Sequence, residues 1–290
     1  MKILALGGTG AIGRELVAYL ANFDHEIHVT SRCAREPNNS VQYIQGDAKD
    51  TGFLRHVLRN DWDVIVDFMV YNTANLRHRL DPLLGATGQY ILTSTSRVFA
   101  ESSQPITEHS PRLLDVSTDS AYLATDEYAL TKARQEDLLR ASGRSNWTII
   151  RPYITFGDGR LQLGSLEKEN WLYRALQGRS IVFCDALLDK STTMTDGADV
   201  ARMIASLIGN PGTYGEDYNL TGPQAMTWRE VLDLYLVELE THQGTRPQVV
   251  LQNIDSFCQW ANSVPQVKYD RLYDRRFDPS KIGQIFDLNK

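Results

Sequence analysis

The chain has 290 residues, 42% of them apolar, and a net charge of −6. That length suits one large domain or a domain with an appended lobe, and an acidic balance without a basic run argues against nucleic acid as a partner. No apolar stretch approaches the roughly 20 residues that span a bilayer, and the scattered cysteines Cys33, Cys184 and Cys258 fit inert thiols in a reducing cytosol better than metal ligands.

From the N-terminus, Lys2-Ile3-Leu4-Ala5-Leu6 is a short apolar run that reads as a buried parallel strand. It breaks at Gly7, so it belongs to the fold rather than to a signal peptide, and a cytoplasmic location is expected. Gly7-Gly8-Thr9-Gly10-Ala11-Ile12-Gly13 follows, and Ile12, Leu16 and Leu20 then recur every four residues, the apolar stripe of a helix. A glycine-rich loop between a strand and a helix is the setting a dinucleotide pyrophosphate needs. Gly7 is expected to make the tight turn, Gly10 to let backbone approach a phosphate, and Gly13 to let helix and strand pack closely. Thr9 and Ile12 lie within the same cradle.

A second strand, Glu26-Ile27-His28-Val29-Thr30, ends at Ser31-Arg32. A site for NAD usually carries an acid here for the ribose 2′-hydroxyl. Arg32 instead offers a guanidinium to a 2′-phosphate, so NADP is expected, with NAD as the alternative. Val41-Gln42-Tyr43-Ile44 is the third strand, and Asp47 after it is placed to bond the adenine amino group. Further buried strands are expected at Asp63–Val70, Gln89–Ser94 and Trp147–Pro152. Alternation with helices implies right-handed crossovers and a doubly wound parallel α/β sheet, whose ligands bind at the carboxyl ends of the strands.

Beyond Pro152 the pattern loosens. Gly157-Asp158-Gly159 is a turn, and Asp196–Ile208 reads as a helix. Thr227 and Glu230 form a capping box that opens another helix. The expected organisation is a Rossmann domain over 1–155, with 190–220 packing back onto it, and a smaller mixed α/β substrate lobe over 156–189 and 221–290. Tyr269-Asp270-Arg271-Leu272-Tyr273-Asp274-Arg275-Arg276 is dense in charge and tyrosine. Two readings stay open: a solvated surface segment, or a lobe segment whose arginines meet an anionic substrate.

Tyr128-Ala129-Leu130-Thr131-Lys132 puts a phenol and an ammonium on one helix face. A phenol of pKa about 10 is a poor acid or base at neutral pH, and a nearby ammonium favours its phenolate. Such a phenol can exchange a proton with a carbonyl or alcohol oxygen while hydride moves at carbon, and Lys132 can also bond the nicotinamide ribose. A hydroxyl from the run Thr93-Ser94-Thr95-Ser96, at the end of the fifth strand, is expected to hold the substrate oxygen.

With these motifs in place, the chain resembles the extended short-chain dehydrogenase/reductase superfamily, and within it the NAD-dependent epimerase/dehydratase family. The resemblance rests on Gly7-x-x-Gly10-x-x-Gly13, the Asp47 turn, Thr93 to Val98, Tyr128-x-x-x-Lys132, Arg151-Pro152 and Asp196-Gly197-Ala198-Asp199-Val200-Ala201. It implies Thr95, Tyr128 and Lys132 as catalytic residues, and Phe68, Met69 and Pro152 as further cofactor contacts. It also implies a nucleotide-linked sugar as substrate, with its diphosphate in the C-terminal lobe. Ser96, Arg271 and Arg275 are candidate substrate contacts, and Arg276 completes the arginine cluster. Two departures stand out. Thr95-Ser96-Arg97 replaces the Thr-Asp-Glu of the sugar-nucleotide 4,6-dehydratases, which makes elimination of water improbable, and Ile154 replaces an asparagine that many members carry. The expected activity is an NAD(P)-dependent reductase or epimerase acting on a keto or hydroxyl group of a sugar, with no metal and with a homodimer as a possible assembly. A reductase of a non-sugar carbonyl and a cofactor-binding or RNA-associated regulator are the rivals.

Overall fold

The computed structural model describes residues 1–38 and 40–288. Seven parallel strands form the central sheet: β1 (Lys2–Leu6), β2 (Glu26–Ser31), β3 (Val41–Gln45), β4 (Trp62–Asp67), β5 (Thr87–Thr93), β6 (Trp147–Pro152) and β7 (Glu216–Leu220). Their order is β3-β2-β1-β4-β5-β6-β7. The direction of winding reverses between β1 and β4, so a crevice opens there at the carboxyl ends of the strands.

The near-continuous apolar strands follow from burial on both faces. Along β1, Ile3 and Ala5 point into the core shared with Leu16, Val17 and Leu20 of α1 (Ala11–Leu20) and Val200, Ile204 and Leu207 of a helix at Gly197–Leu207. Leu4 and Leu6 point the other way, into the core formed with Leu76, Leu80 and Leu83 of α2 (Thr73–Gly85) and Leu139 of α3 (Tyr128–Arg140). The helix at Gly197–Leu207, α4, begins after Asp196, whose carboxylate accepts from the Ala198 amide at 2.6 Å as an N-cap.

The second half builds a smaller lobe. Strands Ile181–Cys184 and Val249–Gln252 pair in parallel, and Ser191–Asp196 lies between Ile154–Phe156 and Ala225–Thr227. Its core gathers Trp171, Phe183, Trp228 and Phe257. The capping box at Thr227 and Glu230 is present at the start of α5 (Trp228–Gln243). Among the described residues, no helix is long and apolar enough to cross a membrane.

Two expectations change in the structure. The fourth strand ends at Asp67 rather than running to Val70. The Asp67 carboxylate accepts from the Met69 amide at 2.8 Å, which turns the chain and sends Phe68 and Met69 over the crevice. The charged segment near the C-terminus is not a solvated one. A π-helical turn, Val267–Arg271, buries Asp270 and Arg271; Arg275 beyond it is also buried, whereas Arg276 remains exposed. Burial is tolerable because the charges face each other: Asp270 is paired with both Arg271 and Arg275.

Candidate active site

Where β1 meets α1, Gly7 adopts φ +68°, and a Cβ there would lie 2.8 Å from the Met69 sulfur. The conformation therefore calls for glycine, whereas the Met69 side chain could move aside. A Cβ on Gly13 would lie 2.6 Å from Gly8 Cα, so this glycine lets helix and loop touch. Gly10 differs: its Cβ would meet nothing nearer than the Gly7 carbonyl oxygen at 3.7 Å, so its face is open to the crevice. It caps α1 without a side-chain cap, and the first turn carries no acidic residue. The amides of that turn and the positive end of the helix thus face open space, the arrangement an anionic pyrophosphate fits.

Two adjoining clefts extend from this loop. One, at the ends of β2 and β3, is lined by Thr9, Ser31, Arg32, Asp47, Lys49, Phe68 and Met69. Arg32 and Asp47 are exposed at its rim, and Asp47 Oδ1 accepts from the Lys49 amide at 2.9 Å. The sequence reading missed Lys49, a second cation at the end expected to hold the adenosine. The other cleft runs between the central sheet and the lobe. It brings Gly10, Ile12, Gly13, Thr95, Tyr128 and Pro152 together with Arg97, Arg160, Gln162 and Arg271.

Thr95 is buried and accepts from the Arg97 amide at 3.2 Å, opening the short turn Ser96–Val98. Alternation splits the hydroxyl run. Ser94 and Ser96 point inward, bonding Glu136 at 2.6 Å and the Arg151 carbonyl at 2.8 Å. Ser96 does not line the cleft. Thr93 does, and its buried hydroxyl has no hydrogen-bond partner among the described residues. Lys132 is 2% exposed and donates to the Thr93 carbonyl at 2.8 Å and the Met69 carbonyl at 3.5 Å. Burial pulls its pKa down to about 8, against the opposing pull of Asp67 and Glu136. Asp67 lies beneath the crevice and bonds the Tyr90 hydroxyl at 2.8 Å. Its pKa is pushed up to about 6 by burial.

The Tyr128 phenol behaves differently from the sequence expectation. Burial raises its pKa, and the charges that oppose the rise are Arg97 and Arg160 rather than Lys132. The Arg97 guanidinium sits 5.4 Å from the ring centroid and the Lys132 ammonium 6.0 Å. Arg97 Nη2 donates to Glu127 at 2.6 Å. The sequence held a signal for Arg97, since it departs from the Thr-Asp-Glu run of the dehydratases that the resemblance brings to this segment. Only the tertiary packing places it over the phenol. Arg160 carried no signal beyond its place after a glycine turn.

The C-terminal arginines separate. Arg271 reaches the cleft wall, bonding Tyr153 at 3.0 Å and the Gly164 carbonyl at 2.9 Å. Arg275 is fully buried and holds Asp270 together with the Phe99 and Ala100 carbonyls, away from the cleft. Arg276 lies at the surface near the Ser103 carbonyl.

A parallel doubly wound sheet with an open glycine loop at its switch point is the architecture of a dinucleotide-binding protein. The chain belongs to the NAD(P)H-binding family, which it matches over residues 7–211. Among curated relatives, it is 26% identical over 249 residues to the chloroplast stem-loop binding protein of 41 kDa b of Arabidopsis thaliana, covering 78% of this chain and 60% of that one. It is 23% identical over 297 residues to the 2′-dehydrokanamycin reductase of Streptomyces kanamyceticus, covering 99% of this chain and 77% of the reductase. Among solved structures, it superposes on the UDP-glucuronic acid 4-epimerase of Bacillus cereus in complex with UDP-glucuronic acid and NAD. The TM-score is 0.71 at 18% identity, covering 99% of this chain and 93% of the epimerase.

Proposed function

We propose that the protein is an NAD(P)-dependent reductase or epimerase acting on a keto or hydroxyl group of a nucleotide-linked sugar. The observation that carries this reading is the convergence of the open glycine loop, Thr95 and Tyr128 on one cleft, with buried Lys132 bonded to the carbonyl of Thr93, which lines the same cleft. The open face of Gly10, the uncapped first turn of α1 and the unpartnered Thr93 hydroxyl fit a dinucleotide. In this reading the α1 amides hold the pyrophosphate, and Asp47 and Arg32 meet the adenosine end. Phe68, Met69 and Pro152 line its path. Arg32, with Lys49 beside it and no carboxylate at the end of β2, favours a 2′-phosphate, hence NADPH and reduction over recycling of NAD.

The bound nicotinamide would supply or accept the hydride. The protein's part is to handle the oxygen at the same carbon. Thr95 orients that oxygen, and Tyr128 gives or takes its proton. Lys132, fixed by two carbonyls, offers its remaining proton to the ribose. Elimination of water lies outside this reading. Arg97 replaces the acid of the dehydratases, and the nearby Glu127 is tied to Arg97, the Ala129 amide and Tyr122.

The likeness to a stem-loop binding protein raises a second reading, an RNA-associated protein on this fold. The presence of Tyr128 and Lys132 beside the glycine loop, and the absence of a basic run, favour the enzyme. Mass spectrometry of the native protein, followed by assays on nucleotide-linked keto sugars, tests the choice. Tyr128→Phe keeps the ring and removes only the ionisable oxygen. It should lower turnover by about 10²–10⁴-fold with dinucleotide affinity preserved. Full activity in that variant would refute the catalytic assignment.

A further inference from the structure

The cleft around Tyr128 has an unusual charge balance for an acidic protein. Its lining includes Arg97, Arg160 and Arg271 and not a single aspartate or glutamate among the described residues. The carboxylates that answer these arginines stand behind them. Glu127 takes Arg97 at 2.6 Å, Glu167 takes Arg160 at 2.7 Å, and Asp270 is shared between Arg271 and Arg275. Arg97 Nε lies 3.8 Å from the same Asp270 oxygen that Arg271 holds, too far for a hydrogen bond, and is buried without a hydrogen-bond partner among the described residues.

The three guanidiniums feel each other. Burial, and repulsion from Arg97 and Arg160, depress the pKa of Arg271 to about 10. Arg97 and Arg160 are also the two cations that act on the Tyr128 phenol. Arg271 is 2% exposed and commits Nε to Gly164 and Nη1 to Tyr153 and Asp270, so it is chiefly a wall of the site. Arg97 and Arg160 are the cations placed to receive a ligand, because a guanidinium presents five N–H groups in a fixed fork and an ion pair on one edge leaves others for a second oxyanion.

We propose that Arg97 and Arg160 form a binding site for a carboxylate or phosphate carried by the substrate itself, within reach of the carbon whose oxygen Tyr128 serves. The proposal rests on the reading of Tyr128 as the proton-transfer residue and narrows the substrate class. The sugar, or other carbonyl compound, bears its own negative charge next to the reacting centre, in addition to any diphosphate further out. The anion would relieve the mutual repulsion of the arginines and, once bound, offset their pull on the phenol, so charged and neutral substrates should differ in turnover as well as affinity.

The test uses pairs of probes that differ only in the anion: UDP-glucuronate against UDP-glucose for a carboxylate, and glucose 6-phosphate against glucose for a phosphate. Each is titrated calorimetrically into the wild type, Arg97→Gln, Arg97→Lys and Arg160→Gln. The charged member of at least one pair should bind the wild type at least tenfold more tightly, and the pair that discriminates identifies the anion. The preference should fall to within about threefold in Arg97→Gln and Arg160→Gln, with Arg97→Lys between. NADPH titration of the same samples checks that each variant is folded, and it separates the two claims. Loss of dinucleotide binding in the wild type would sink the enzyme reading, whatever the anion data. Equal affinity for charged and neutral members of both pairs, or a preference that survives both glutamine variants, would overturn the anion site and leave the enzyme reading standing.

Discussion

Gly10 and Gly13 stand three residues apart in one motif, yet the structure gives them opposite duties, and alanine at each position separates them. At Gly13 the added Cβ would come within 2.6 Å of Gly8 Cα and 2.8 Å of the Gly8 carbonyl carbon and oxygen, against an ordinary contact distance of 3.4–4 Å. The obstacle is backbone, so α1 must retreat by nearly an ångström. Overpacking of this kind costs about 1–3 kcal/mol, and the upper part of that range applies because no flexible side chain can yield. Alanine recovers up to about 1 kcal/mol of helix propensity. The net loss is then about 2 kcal/mol, or a fall in Tm of roughly 5 °C for a chain of this size. At Gly10 the Cβ would meet only the Gly7 oxygen at 3.7 Å, and φ is −74°, so the ligand-free protein should lose no more than about 1 kcal/mol, the usual scale of an N-cap change. The methyl group would instead occupy the space left for phosphate. Losing one charge-assisted hydrogen bond costs about 1.5–3 kcal/mol, or about 10- to 100-fold in dinucleotide affinity. Thermal melts and NADPH fluorescence titrations of both variants read the two effects. A Gly10→Ala protein that binds NADPH normally would refute the assignment of the open face to the pyrophosphate, and a Gly13→Ala protein with wild-type Tm would refute the packing argument.

Arg32→Ala should lower the preference for NADP over NAD by on the order of 1.5–3 kcal/mol, measured as the ratio of the two Kd values; an unmoved ratio removes Arg32 from the 2′-phosphate. Lys132, with its pKa drawn down to about 8 in the folded protein and about 10.4 when unfolded, binds fewer protons folded than unfolded between those values. Its contribution therefore becomes more favourable as pH rises through that window. Denaturant melts at pH 7 and pH 10 should show wild type gaining stability relative to Lys132→Met, and a constant difference would contradict the buried ammonium. Arg275→Gln strips a partner from buried Asp270 and should destabilise by roughly 3–5 kcal/mol. Arg276→Gln at the surface should stay within about 0.5 kcal/mol, and similar melts for the two would show that the segment is not packed as described.

Much of the architecture was legible in the chain because it is local. The run Lys2–Leu6, the glycine loop and the four-residue spacing of Ile12, Leu16 and Leu20 specify strand, turn and helix with no reference to the rest of the molecule. Trp147–Pro152 and the capping box at Thr227 were readable for the same reason: periodicity and capping act over a few residues. Tyr128 and Lys132 could be paired because a helix makes residues four apart into neighbours. The environments of those side chains were a different matter, because they are set by residues distant in sequence. A lysine one turn from a tyrosine suggests that it tunes the phenol. Folding instead ties Lys132 to carbonyls of β5 and the Met69 loop, and brings Arg97 and Arg160 to the phenol from two other segments. Composition alone left the Tyr269–Arg276 segment undecided between solvent and substrate. Its actual state, with Asp270 shared between Arg271 and Arg275 and only Arg271 at the cleft, depends on Tyr153, Gly164, Phe99 and Ala100 arriving from more than 100 residues away. The chain's local patterns determined the sheet and the cofactor loop, and long-range packing decided the charges around the reacting centre, since a side chain's electrostatic surroundings are a property of the assembled fold.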